Sequence, residues 1–174
     1  MPKYVRTTRE CAVGQVKPEI LRSMREYFRK HDLGPLESEC LSCCETVSEQ
    51  VSGSGLPAWL DTNAQRFSTV IVLTERSLIW CRLVDGDAQI PVVIGAQLVN
   101  IVARGRTGIF SKEFGLEVTG LIEESRSNIH GVIALGPEPA AQKFCDDVQA
   151  AIQKINPPNE RKWPAWMMGG KQEK

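Results

Sequence analysis

The residues in this chain best suited to chemistry are concentrated at Cys40-Leu41-Ser42-Cys43-Cys44. Two thiolates at C-x-x-C spacing can grip zinc from a tight turn or cycle as a redox pair. A closed zinc site needs four ligands. No second C-x-x-C follows, and no Cys/His pair stands at knuckle spacing. Cys11 and His31 complete such a set only if the N-terminal arm folds back onto the cluster. The competing reading is structural, since reduced cysteine is among the most buried residue types and packs well inside a strand. That reading takes precedence. Cys40, Cys43 and Cys44 stand as weak metal or redox candidates, and no cofactor is expected.

Other reactive groups point away from catalysis. A histidine base needs a nucleophile and an orienting partner within reach. The chain has only His31 and His130, with no Gly-x-Ser-x-Gly elbow and no His-Glu-x-x-His. The carboxylate pairs Glu123-Glu124 and Asp146-Asp147 lack the apolar flanks that raise a carboxyl toward acid catalysis. They read as a turn and a solvated helix face. The chain is therefore expected not to be an enzyme.

Two segments are candidates for partner contact. Arg104-Gly105-Arg106-Thr107-Gly108, continuing to Lys112, is the one basic patch. Its backbone N–H groups and guanidinium forks suit an anion or a partner, although it is not a Walker motif. The ordinary reading is a plain loop. The tail Trp163-Pro164-Ala165-Trp166-Met167-Met168 sets large apolar side chains among Pro, Gly and charge, and these need burial or a partner. Docking on the chain's own body is the first expectation. Contact with a protein or a second copy comes next. A membrane surface comes last, because Glu160 and Glu173 dilute the neighbouring Arg161, Lys162 and Lys171.

The elements that position these residues follow from periodicity. Pro18 opens a helix over residues 17–31, with Ile20, Leu21, Met24 and Phe28 on one stripe. Residues 39–50 read as a weak strand and 51–63 as a loop. The runs FSTVIVLT (67–74) and SLIWCRLV (77–84) form a hairpin buried on both faces. Asp85-Gly86 is a turn, and short runs follow at 90–94 and 98–103. Residues 115–123 alternate, with Leu116, Val118 and Ile122 on one face. Gly120 marks a bulge or a close approach. Residues 129–135 form the last strand. A helix then runs to Ile155, presenting Phe144, Val148, Ile152 and Ile155.

Bulk composition agrees with one domain plus extensions: 1–38 an arm and helix, 39–156 the main body, 157–174 a tail. Lys plus Arg total 21, as do Asp plus Glu, so no net field collects nucleic acid. The longest strongly apolar run, residues 70–73, is far short of a membrane span, and the N-terminus lacks a signal-peptide core. A soluble cytoplasmic protein with reduced thiols is expected.

Counted from residue 39, about seven short strands precede one amphipathic helix. This order resembles the pleckstrin-homology-like (PH-like) fold, and specifically its bacterial group. The phrase VLTERSLIW (72–80) is similar to a hairpin common there, and Ile90-Pro91-Val92 stands where an "IP-L" strand often lies. CCETVS (43–48) and GPEPAAQKF (136–144) are similar to segments of uncharacterised bacterial proteins of this kind. The resemblance implies an α+β, mainly β architecture: a PH-like antiparallel barrel or sandwich capped by the C-terminal helix, with an additional N-terminal helix. It also implies a non-catalytic interaction module for a protein, peptide or membrane-surface partner. The alternative is a metal or redox sensor built on Cys40, Cys43 and Cys44. Lipid-binding relatives carry a basic first hairpin loop. The corresponding loop here, 51–66, has Arg66 alone, so phosphoinositide recognition does not carry over.

Overall fold

The computed structural model describes residues 3–51, 65–86, 91–104, 114–121 and 128–156. The main elements are β1 (Lys3–Glu10), α1 (Pro18–Lys30), α2 (Leu36–Glu39), β2 (Ser42–Val51), β3 (Arg66–Leu73), β4 (Ser77–Val84), β5 (Val92–Gln97), β6 (Ile101–Arg104), β7 (Gly115–Leu121), β8 (Asn128–Ala134) and α3 (Pro139–Ile155). One sheet has the order β1-β2-β3-β4-β5 and a second the order β6-β7-β8. All described pairings are antiparallel. The architecture is α+β and mainly β. The described strands form two sheets and not a closed barrel.

The apolar run at 70–73 has no polar alternation because both faces of the large sheet are covered. Ile71 and Leu73 face inward and pack with Leu78, Leu116 and Leu135 and with Phe144 and Val148 of α3. Val70 and Val72 face outward and pack with Ile20, Met24 and Phe28 of α1. Those three helix residues fall on one stripe because they are four apart, and Pro18 at the first turn forfeits only an N–H that would have been unpaired.

Residues 1–16 read as an extended strand or a loose arm, and Lys3–Glu10 are strand β1, registered along β2 from Lys3↔Val51 to Glu10↔Cys44. Other expectations are corrected. The run at 98–103 is split, since Leu98–Asn100 is a 3-10 turn and only Ile101 onward is strand. That turn carries the chain from one sheet to the other. Gly120 pairs with Ile129 in unbroken register, so it marks no bulge. Ile155 is 37% exposed, because the last turn of α3 runs past the sheet it covers. The loop read at 51–63 lies outside the described residues after Val51, as do Ile122, the pair Glu123-Glu124 and the tail.

α3 is tied down by polar contacts as well as by its apolar face. The Ser42 hydroxyl donates to Asp147 Oδ2 at 2.8 Å. Asp146 accepts from Gln142 one turn earlier on the exposed face of the same helix. At the start of the helix, the Thr8 N–H donates to Glu138 Oε2 at 2.8 Å, and the Gly136 N–H donates to Thr8 Oγ1 at 2.7 Å. Thr8 Oγ1 also lies 2.8 Å from Thr46 Oγ1. Thr8 is buried. Thr8→Val keeps the shape and leaves the Gly136 N–H without its acceptor, an expected loss of about 1–3 kcal/mol. A lowered urea midpoint at unchanged slope is the measurement. An unchanged midpoint would show that this junction carries no stability.

Candidate functional site: a cationic cleft and a thiol cluster

Successive strand residues face opposite sides, so positions two apart share a face. Along the inner face of the large sheet, character changes from one end to the other. Near α3 the residues are Ile71, Leu73, Leu78 and Ala96. Further along, Thr8, Thr46, Thr69, Arg82 and Val92 form one row across all five strands. The next inward row carries Arg6, Ser48 and Phe67. The end of the sandwich away from the helix is therefore lined by hydroxyls, cations and aromatic rings.

Arg6, Ser48, Phe67, Thr69, Arg82 and Val92 of these rows, with Trp80, Ile94 and part of β8, line a cleft of about 290 Å³. Two rings in contact, Tyr4 and Phe67, are flanked by two cations, Arg6 and Arg82. The Arg82 guanidinium carbon lies 3.6 Å from the Phe67 ring centroid. Tyr4 meets Phe67 edge-on at 5.4 Å, and Arg6 lies 5.5 Å from the Tyr4 centroid. Such stacking holds a guanidinium in place and fixes the direction in which its planar N–H fork points. Partial burial lowers the Arg82 pKa. The Tyr4 phenol opposes that shift and the Arg6 cation adds to it. The electrostatic neighbours of Arg82 are thus a phenol and a second cation. By contrast, Arg66 is committed to Glu49 and Asp85, at 3.3 and 3.4 Å.

A larger cavity of about 510 Å³ lies between α1, β5 and the end of α3, beside Tyr27, His31, Gln97 and Ile155. Its polar lining is Tyr27, His31, Arg76, Ser77 and Gln97. Tyr27 and His31 stack at 4.2 Å, and neither they nor Gln97 lack a partner. The smaller cleft is the better candidate because Arg6 and Arg82 both line it beside Phe67 and Trp80, whereas Arg76 is the one arginine lining the larger cavity.

The cysteines divide by face. Cys43 and Cys44 are adjacent in β2 and point to opposite sides, so the expected trio is not one cluster. Cys44 is buried in the inner core, where burial pushes its pKa well up. Cys43 faces outward and meets Cys11 instead, with sulfurs 3.3 Å apart and the Cys11 N–H donating to the Cys43 carbonyl at 3.1 Å. Cys40 interacts electrostatically with Cys43 as well. These interactions depress the Cys11 and Cys40 pKa values, while Cys43, placed between them and buried, is pushed strongly up. Burial alone raises Cys81 to about 12, and burial with the nearby Asp146 carboxylate raises Cys145 to about 11. Beside the trio, Arg9 donates twice to the buried Glu45 carboxylate, at 2.9 and 2.6 Å, and this bonding raises the Arg9 pKa.

His31 stacks on Tyr27 and does not join the thiols. Among the described residues, no group of three or more His, Cys, Asp and Glu side chains is placed to hold a metal ion. No family model, curated protein or solved structure matches the chain. No described helix is long and apolar enough to cross a membrane. Of the partner-contact candidates, Arg104 ends β6, with its side chain outside the described residues. Arg106, Lys112, Trp163, Trp166 and Met167 also lie outside them. Sequence reasoning missed Arg6, Trp80 and Arg82, which sat within segments read as plain strand or arm. The available signal was the alternation Leu78, Trp80, Arg82, an apolar face turning cationic within one strand.

Proposed function

We propose that the chain is a non-catalytic, PH-like interaction module that takes an extended acidic peptide along the edge of β5. Support for the PH-like part comes from the order β2 to β8, four strands then three, followed by a helix on the inner face. The observation that carries the binding part is the cleft in which Arg82 is stacked on Phe67 beside Trp80. β5 ends its sheet, and its Val92 is 64% exposed. A peptide added there gains main-chain hydrogen bonds, and every second side chain enters the inner face. In the row of Arg82 and Val92, an acidic side chain comes two strands from Arg82, about 10 Å between backbones at ordinary strand spacing. The long guanidinium spans that gap and pairs bidentately.

The test is selection from an extended-peptide library, followed by titration of the selected peptide. Enrichment of acidic residues at alternate positions is expected, with at least a tenfold loss of affinity in Arg82→Ala and a weaker complex in higher salt. Random enrichment, or an Arg82→Ala affinity within twofold of the parent, rejects the reading. Retention on phosphatidylserine vesicles with no peptide selected would assign the cleft to a membrane surface instead.

A further inference from the structure

The sulfurs of Cys11 and Cys43 face each other in a geometry that needs little change to become covalent. We propose that this pair is a site of reversible oxidation, closed to a disulfide by a hydroperoxide and reopened by a thiol. Cys11 stands across from Cys43 in the extension of the β1–β2 ladder, since Glu10 pairs with Cys44 and the Cys11 N–H donates to the Cys43 carbonyl. Opposed residues in an antiparallel pair have Cα atoms about 4.5–5.5 Å apart, inside the range a disulfide spans. The sulfurs need close only from 3.3 Å to about 2.05 Å, by side-chain rotation with the backbone in place.

The two thiols differ in access. Cys11 is half-buried and so reachable, whereas Cys43 is 4% exposed and shielded beneath α1 and α2. Cys11 is therefore the attacking sulfur. Its thiolate displaces water from hydrogen peroxide and becomes a sulfenic acid. The Cys43 sulfur then attacks the Cys11 sulfur, and the sulfenic oxygen leaves as a second water with the Cys43 proton. In sum, two thiols and one hydrogen peroxide give one disulfide and two waters, a two-electron change. The pair is 32 positions apart, and α1 and α2 lie entirely between its members. Closing it clasps both helices onto the outer face and pins the end of β1, which carries Arg6 of the cleft.

The experiment uses the full chain, reduced and desalted, then titrated with hydrogen peroxide. Free thiols are alkylated, and the protein is digested without reductant. A Cys11–Cys43 crosslinked peptide is expected, with loss of two hydrogens from the intact mass and full reversal by dithiothreitol. The melting temperature should rise by roughly 5–10 °C, as expected for closing a loop of this length. Cys11→Ser, altered only at the half-buried member, should lose both the crosslink and the rise. Peroxide that leaves Cys11 as a sulfinic acid with no crosslink overturns the proposal. A crosslink joining any other pair, including Cys40 with Cys43, overturns it equally.

Discussion

Phe144→Ala is expected to lower the unfolding free energy by about 3–5 kcal/mol, the usual cost of emptying a well-packed phenylalanine site. Phe144 is 2% exposed and packs in the inner core with Leu78, Leu116 and Leu135. α3 contacts β1 and β2 of one sheet and β6 and β7 of the other, so it joins both sheets. The cavity would open where the two sheets meet the helix, and neither sheet can collapse into it without breaking its own ladder. Since a domain is stable by only about 5–15 kcal/mol, the variant should lose a large share of its stability. Urea denaturation at 25 °C measures the loss. Ile155→Ala on the same helix should cost less than about 1 kcal/mol, because that side chain already meets solvent. Equal effects at the two positions would contradict the inward packing of α3.

Gly115→Ala is the second large effect. Gly115 opens β7 opposite Ala134. A Cβ there would fall inside contact distance of the Ile133 carbonyl oxygen and 3.1 Å from the Ala134 Cα. Both obstacles are backbone of the neighbouring strand, which cannot withdraw without opening the β7–β8 ladder. Overpacking of this kind costs about 1–3 kcal/mol, and an immovable neighbour places the result at the upper end. Gly95→Ala is the control. Its Cβ would meet the phenol end of Tyr27, a side chain that can swing aside. Thermal melts of the two variants should separate by several degrees, with Gly115→Ala the lower. The reverse order would show that the β7–β8 pairing is less rigid than its register implies.

The legible parts of the site and the missed parts differ in sequence range. Cys43 was singled out from its neighbours Cys40 and Cys44, yet the sulfur within 3.3 Å of it belongs to Cys11. Cys44, adjacent in sequence, is turned into the opposite core. A strand places consecutive side chains on opposite faces, so a cluster of letters in a strand is not a cluster of atoms. Arg6 and Arg82 come to one cleft through the pairing of β1 with β2, β2 with β3, and β3 with β4. Of those pairings only the β3–β4 hairpin is announced locally; the pairings of β1 with β2 and of β2 with β3 are not.

What residue order alone decided here is local. The four-residue spacing of Ile20, Met24 and Phe28, the stripe through Phe144 and Val148, the β-branched run at 70–73 and the turn at Asp85-Gly86 each act within a turn or two of chain. They sufficed for helices α1 and α3, the β3–β4 hairpin and a mainly β body. Tertiary structure decided the rest: that the arm becomes a fifth strand, that the chain changes sheets at Leu98–Asn100, and which thiols and cations meet. The physical reason is register. Shifting one strand by one residue would exchange its inner and outer faces. The choice is made by the summed burial of both cores, a property of the assembled sheets and of no single segment.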